Sequence, residues 1–258
     1  MNAGASFIWR GIGALFVVFL LSPLLLVVLF AFTSRAQSAF PIEALSLRWW
    51  REMAAEPEFL PALWNSLVIS GTVGIVSAAV GTMAAMGLVR LAPRAARITS
   101  ALLCVPLMTP PLVLGVSLLG LYAWAHVPMG RLTVVLSHLL FTMPFVVLVI
   151  YARLRNFDER VVESARDLGA SPVRAFLTVT LPIIRPTVVG AALIAMALSL
   201  DDFIITFFTI SGGVTLPTFV FGMIRTALTP AANAVGTLIL AITIGATLAA
   251  LWLTRYRD

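Results

Sequence analysis

The segment from Glu163 to Pro182 reads ESARDLGASPVRAFLTVTLP, and it is polar in a chain that is otherwise strongly apolar. Its residues are typical of two short helices joined by a turn. Gly169 stands where a left-handed residue commonly ends a helix, and Ser171 and Pro172 are typical of the first positions of the next helix. The proline that closes the segment, with Pro186 soon after it, predicts that this second helix ends there. The segment is therefore expected to be a helical hairpin.

The composition of the whole chain indicates a membrane protein. Of its 258 residues, 60% are hydrophobic and 11% are charged, whereas soluble domains have about 25% charged residues. All 17 basic residues are arginines, so the chain lacks the lysine that a Walker A loop or a pyridoxal-phosphate enzyme requires. These two enzyme classes are excluded. The single cysteine, Cys104, cannot form a disulfide within the chain.

Six apolar segments are each long enough to cross a bilayer, because about 20 helical residues span about 30 Å of hydrocarbon. The backbone must satisfy its own polar groups in lipid, so each segment is predicted to be a helix. No internal repeat or low-complexity linker separates them, which predicts one all-α transmembrane domain over residues 1–258. The predicted spans are residues 11–32, 63–89, 98–124, 132–152, 186–208 and 231–253.

The arginines predict the orientation of these spans. With both termini in the cytoplasm, twelve arginines lie on the cytoplasmic side and five on the outer side, which agrees with the positive-inside rule. The polar hairpin then belongs to the longest cytoplasmic loop, residues 153–185. Because this arrangement explains most of the formal net charge of +6, no nucleic-acid partner is expected. The cytoplasmic arginines are Arg10, Arg90, Arg94, Arg97, Arg153, Arg155, Arg160, Arg166, Arg174, Arg185, Arg255 and Arg257.

The hairpin could be a charged loop that only solvates and anchors the chain, or it could dock on a soluble partner. A resemblance favours docking. The segment resembles the EAA loop of ABC importer permeases, in which E-A-A is followed after three residues by Gly and after nine more by I-x-L-P. This chain has E-S-A and V-T-L-P at the same spacing, so the departures are one Ser and one Val. The matching positions include Glu163, Ser164, Ala165, Gly169, Leu181 and Pro182.

The resemblance implies the type I fold of ABC importer permeases. In that family the loop forms a coupling helix that seats in a separate ATPase subunit, and Glu163, Arg166 and Asp167 become candidates for charge pairing there. ATP and Mg are expected on a cytoplasmic ATPase dimer, so this chain itself would bind no cofactor or metal and catalyse no covalent step. The family also implies a second permease subunit of different sequence, a periplasmic or extracellular substrate-binding protein, and a location in the bacterial cytoplasmic (inner) membrane.

Two adjacent carboxylates, Asp201 and Asp202, lie in the fifth predicted span within SLDDFIITFF. A carboxylate at this depth is costly unless it faces a cavity or a partner. One interpretation has at least one of them lining the translocation path. The other has them capping a helix break, or pairing with an arginine of a neighbouring subunit.

The same stretch carries a second resemblance. SLDDFIITFF and the later GVTLPTFVFGMIR are similar to the spermidine/putrescine group of ABC permeases, as are stretches that begin at Ser46 and Pro111. The implied cargo is a polyamine, and a cationic amine suits a site with two carboxylates. One departure is that many polyamine permeases have an acid in the third span where this chain has Pro111. Neighbouring groups of the family carry ferric iron, aminophosphonates or other small amines, which are the alternative cargoes.

Two other classes of protein compete with the importer. An intramembrane serine protease could use Ser117 and His138, but such proteases have G-x-S-G where this chain reads GVSLLG, and the EAA spacing would be unexplained. A single-chain channel or secondary carrier is the other rival. Uptake that requires a co-expressed ATPase separates the importer from both. His138 is predicted to be a packing residue with satisfied hydrogen bonds rather than a proton relay.

Overall fold

The computed structural model describes residues 3–226 and 229–255, with side chains described for residues 9–226 and 229–248. In this part of the chain the regular structure is helical apart from one isolated bridge, Thr33 to Leu45, which confirms the predicted all-α class. The helices are α1 (Ala3–Phe30), α2 (Arg48–Ala55), α3 (Phe59–Val89), α4 (Pro93–Met108), α5 (Pro111–Trp124), α6 (Arg131–Leu154), α7 (Arg160–Asp167), α8 (Pro172–Ala175), α9 (Leu181–Asp201), α10 (Ile204–Thr209), α11 (Leu216–Thr226) and α12 (Ala231–Arg255), and a π-helical turn (Phe176–Thr180) joins α8 to α9.

Within the described residues, five helical segments are long and apolar enough to cross a membrane. A sixth span results if α4 and α5 are taken together as one bent span. Every one of them overlaps a span predicted from the sequence. The five segments are Trp9–Phe30, Phe59–Val89, Arg131–Leu154, Pro172–Asp201 and Ala231–Leu248.

The third predicted span, residues 98–124, is not one helix. It is broken after Met108, and the axes of α4 and α5 differ by 94°. Thr109 is extended, because the residue before a proline is disfavoured in the helical conformation. Pro110 is followed by Pro111, which occupies the first position of α5, where a missing N–H is tolerated. The two consecutive prolines thus turn the chain sharply at this point.

The boundary between the predicted loop 153–185 and the predicted fifth span 186–208 also differs from expectation. Pro182 and Pro186 were expected to end a helix, and they do not. The helix continues without interruption over Pro172–Asp201, so the second arm of the hairpin is also the beginning of the fifth span.

The π-helical turn explains how the helix continues past Pro182. A proline inside a helix donates no N–H, and its ring crowds the carbonyl four residues earlier. Immediately before it, the N–H of Leu181 donates to the carbonyl of Phe176, five residues back. This wider turn loosens the hydrogen-bond ladder at the place where proline would strain it.

Contacts within the chain divide it into two compact units. In the smaller unit, α2 buries Trp49 and Met53 on one face, and the rings of Phe32 and Trp50 pack with centroids 5.4 Å apart. The larger unit contains both candidate sites described below. The smaller unit comprises Met1–Leu60 and Phe219–Ala241, and the larger comprises Pro61–Thr218 and Ile242–Asp258.

Glycines of α3 allow close helix packing in the larger unit. A Cβ built on Gly81 would lie 2.8 Å from Cγ1 of Val146 in α6, and one built on Gly74 would overlap Cγ of Met196 in α9. Small residues are favoured at such contacts because lipid is as apolar as the side chains, so helices associate through close packing. The neighbouring apolar core consists of Ala85, Leu88, Ala96, Val146, Val147, Ile150, Leu154, Ile184, Ala191 and Ala195.

Candidate functional site

The first arm of the hairpin, α7, ends at a left-handed glycine. Gly169 has φ +87°, and its N–H donates to the carbonyl of Arg166 at 2.9 Å. The N–H of Ala170 donates to the carbonyl of Ala165 at 3.1 Å. These two hydrogen bonds form a Schellman motif, which satisfies carbonyls at the end of a helix. The predicted cap at Gly169 is confirmed.

The second arm begins as the sequence predicts. Ser171 is the N-cap of α8, and its Oγ accepts a hydrogen bond from the N–H of Arg174 at 3.3 Å. Pro172 occupies the first helical position. Because Gly169 and Ser171 fix the two ends of the turn, the relative direction of α7 and α8 is set by local hydrogen bonds.

The predicted coupling residues divide into two groups. Six lie together on α7 and the turn after it, and α7 buries none of its side chains. They are Glu163, Ser164, Ala165, Arg166, Asp167 and Gly169. Leu181 and Pro182 do not join them, because they lie in the first turn of α9 beyond the π-helical turn. An open pocket of about 440 Å³ follows the tip of the hairpin, lined by Glu163, Arg166, Asp167, Gly169, Ala170, Ser171 and Pro172.

An apolar surface at the hairpin tip was missed by the sequence reasoning. Leu168 is 90% exposed, and Val173 and Leu177 on the second arm are 68% and 54% exposed. Exposed apolar side chains beside charges are typical of interaction surfaces. The signal was available, since Leu168 directly precedes the capping glycine and directly follows a helix whose residues are mostly polar.

The second candidate site is a break in the fifth span. α9 ends at Asp201, Asp202 is extended with φ −70° and ψ 117°, and α10 begins at Ile204. Oδ2 of Asp202 accepts hydrogen bonds from the N–H of Thr206 at 2.9 Å and from its hydroxyl at 3.2 Å. Asp202 therefore caps the start of α10. Of the interpretations open at the sequence level, capping of a helix break describes this residue, and the predicted single helix over 186–208 is wrong.

His138 of α6 lies against this break and is 1% exposed. Its Nδ1 lies 2.7 Å from Oγ of Ser199. Its Nε2 lies 2.9 Å from Oγ1 of Thr206 and 3.2 Å from Oδ2 of Asp202. Both ring nitrogens are thus hydrogen-bonded in a buried position, as predicted for a histidine whose hydrogen bonds are satisfied within the protein. Among the described residues, Ser117 is not a hydrogen-bond partner of this histidine.

The far end of α10 is also held by buried hydrogen bonds. Oγ1 of Thr133 in α6 donates to the carbonyl of Thr209 at 2.8 Å. The hydroxyl of Tyr122 in α5 donates to the carbonyl of Thr133 at 3.2 Å and lies 3.0 Å from Oγ of Ser137. Since buried polar groups bind strongly to their partners in a low dielectric, α10 is fixed at both its ends.

These features define a polytopic membrane protein with an exposed helical hairpin and a polar break inside one span. The chain belongs to the family of binding-protein-dependent transport system inner membrane components, whose family model matches residues 77–256. The predicted relationship to ABC importer permeases is therefore confirmed. It follows that the chain is the permease component of an ABC transporter and that ATP is bound and hydrolysed by a separate subunit.

Two relatives illustrate the similarity in sequence. The chain is 36% identical to the putrescine transport system permease protein PotI of Escherichia coli K12 over 230 residues, which are 86% of this chain and 82% of that protein. It is 30% identical to the spermidine/putrescine transport system permease protein PotC of Haemophilus influenzae over 216 residues, 83% of each chain.

Solved structures share the fold at low sequence identity. A chain of a bacterial ABC transporter that imports the acidic polysaccharide alginate matches with a TM-score of 0.73 and 14% identity, covering 99% of this chain and 97% of that one. A chain of the methionine ABC transporter MetNI, in an inward-facing conformation, matches with a TM-score of 0.65 and 18% identity, covering 77% and 95%. The predicted ABC importer permease fold is confirmed.

Proposed function

We propose that this chain forms half of the translocation path of an importer for polyamines, namely putrescine, spermidine or a related small amine. The observation that carries the proposal is the similarity to permeases named for putrescine and spermidine/putrescine transport, which extends over 86% and 83% of this chain. The carboxylates Asp201 and Asp202 support it, since a path that contains a carboxylate favours a cation.

The proposed transporter contains further subunits. Six helices do not enclose a path alone, so a second permease of different sequence completes it. A dimer of ATPase subunits binds ATP and Mg on the cytoplasmic side, and a periplasmic or extracellular substrate-binding protein delivers the amine. In this arrangement residues 1–258 act as one transmembrane domain in the lipid bilayer, with both termini and the hairpin in the cytoplasm.

The hairpin of α7 and α8 is the proposed contact with the ATPase. Its turn is rigid because Gly169 and Ser171 fix both ends. Charged side chains on α7 suit ion pairs with the ATPase, and the exposed Leu168 adds an apolar contact at the tip. The proposed coupling surface consists of Glu163, Ser164, Ala165, Arg166, Asp167 and Gly169, and Leu181 and Pro182 lie in the helix that carries its motion into the membrane.

Calorimetry of the cognate substrate-binding protein tests the cargo. We expect heat of binding with putrescine or spermidine, and none with ferric iron or an aminophosphonate at the same concentration. Uptake of the bound amine by cells is expected only when the ATPase is co-expressed, and a variant ATPase without its Walker A lysine serves as the control. A binding protein that binds anions and ignores amines would contradict the polyamine cargo. Uptake without the ATPase would contradict the importer itself.

A further inference from the structure

The break between α9 and α10 is held by side chains from three helices. His138 of α6 contacts Ser199 of α9, Thr206 of α10 and Asp202 of the break at 2.7, 2.9 and 3.2 Å. The exposed fractions of His138, Ser199 and Thr206 are 1%, 4% and 1%, and that of the Asp202 side chain is 12%. A cluster this well buried determines where the last turn of α9 ends.

A neutral His138 satisfies every contact of the cluster. Nε2–H donates towards Thr206 and Asp202, and Nδ1 accepts from the hydroxyl of Ser199. The hydroxyl of Thr206 then donates to Asp202, which also accepts from the N–H of Thr206. Oδ2 of Asp202 is therefore occupied within the fold.

Asp201 has a different environment, although it is the neighbouring residue. It is exposed, and its position follows Ile194 and Leu198 at intervals of four and three residues, so these three exposed residues share one face of α9. Within the part of the chain that the structure describes, no hydrogen bond or ion pair reaches the Asp201 carboxylate. Contact of this carboxylate with lipid would be costly, so the face borders water or another subunit.

We propose that His138 is a positioning residue of the translocation path. With Ser199 and Thr206 it fixes the break through Asp202, and this places the Asp201 carboxylate on the path as the group that selects cationic cargo. The two acids then have separate roles, since Asp202 maintains the backbone and Asp201 meets the cargo. This inference rests on the proposed amine import for the chemistry of the cargo, but the positioning of residue 201 can be tested without it.

Cysteine labelling in the assembled transporter tests the positioning. In a Cys104→Ser background, Asp201→Cys is treated with a cationic, membrane-impermeant methanethiosulfonate. We expect rapid labelling, because the proposal places residue 201 on the water-filled path. Adding His138→Leu removes the buried hydrogen bonds, and the labelling rate should change at least about threefold, as expected for one or more lost hydrogen bonds.

Ser77→Ala is the matched control for His138→Leu. It removes another buried hydrogen bond of α6, the 3.1 Å contact between Ser77 and Thr142, which does not touch the break. The labelling rate at residue 201 should stay the same. No labelling of Asp201→Cys, an unchanged rate with His138→Leu, or an equal change with Ser77→Ala would each overturn the proposal.

Uptake by variants of the two acids provides a second measurement. Asp201→Asn removes the unpaired charge and should lower uptake of the cargo at least about tenfold. Asp202→Asn keeps a carbonyl oxygen that can accept the hydrogen bond from Thr206, so its uptake should fall by no more than about threefold. Asp202→Ala loses this cap, and its uptake should fall further. If Asp202→Asn is as damaging as Asp201→Asn at equal membrane levels, the division of roles is wrong.

The two proposals fail in different ways. If the binding protein takes a cargo other than an amine, the uptake series is measured with that cargo, and the labelling comparison is unaffected because the reagent reports access to water. If amine import is correct but residue 201 is not labelled, only the positioning inference fails.

Discussion

Replacing Gly169 with aspartate is expected to abolish ATP-driven uptake, a loss of at least about tenfold, while the protein remains in the membrane. Gly169 has φ +87°, and a residue with a Cβ pays about 1–2 kcal/mol in this conformation. An energy of about 1.4 kcal/mol corresponds to a tenfold change in rate. A Cβ built there meets nothing within 4 Å, so backbone strain rather than a clash reorients the turn. The measurement is uptake per amount of permease in the membrane.

Two variants separate the effect of strain from that of charge. Gly169→Asn is expected to retain more uptake, since asparagine has nearly the shape of aspartate without its charge and is, after glycine, the residue found at left-handed helix ends. Ala170→Asp adds the same charge at the next position, where the backbone is not left-handed, and should be milder than Gly169→Asp. Normal uptake by Gly169→Asp at a normal membrane level would remove the support for a rigid coupling hairpin.

Replacing Gly74 with valine is expected to prevent stable folding of the larger unit. A Cβ at this position overlaps Cγ of Met196, an atom too near the backbone to swing far away, and lies 3.1 Å from the carbonyl oxygen of Ala192. Forcing additional methyl groups into a packed contact costs about 1–3 kcal/mol. Loss of this packing separates α3 from α9, and we expect the fraction of monodisperse protein after heating in detergent to fall sharply.

Gly71→Val is the matched control, because it makes the same chemical change in the same helix. A Cβ at Gly71 meets nothing within 4 Å. Both variants carry the same helix propensity, so any difference between their melting temperatures reports the contact with α9. Equal melting temperatures for the two variants would show that the close approach at Gly74 does not stabilise the protein.

The features that local sequence controls were predictable. The ends of the hairpin arms at Gly169 and Ser171 depend on residues within a few positions of the turn, and both caps were found from the sequence. The apolar spans were equally clear, because the bilayer imposes a minimum length on each of them.

The features that depend on tertiary contacts were not predictable. The stretch SLDDFIITFF contains neither the glycine nor the proline that normally marks a break in a helix. The break at Asp202 is held instead by His138, about sixty residues earlier in the sequence. Pro182 predicted a helix stop, which the π-helical turn just before it overrides. The orientation of Asp201 relative to Asp202 likewise depends on the residue at which α9 ends, and no local sequence pattern predicts that residue.

The uninterrupted helix over Pro172–Asp201 also has a mechanical consequence. Thirty residues at 1.5 Å each make a rod about 45 Å long. One end of this rod carries the hairpin turn, and the other ends at the carboxylate of Asp201. Tilting the rod by about 5° about one end displaces the other end by about 4 Å. The hydrogen-bond ladder of this rod is weakened at the π-helical turn and at Pro186. Under the proposed coupling, a displacement of the hairpin as small as a side chain is enough to change the space beside Asp201.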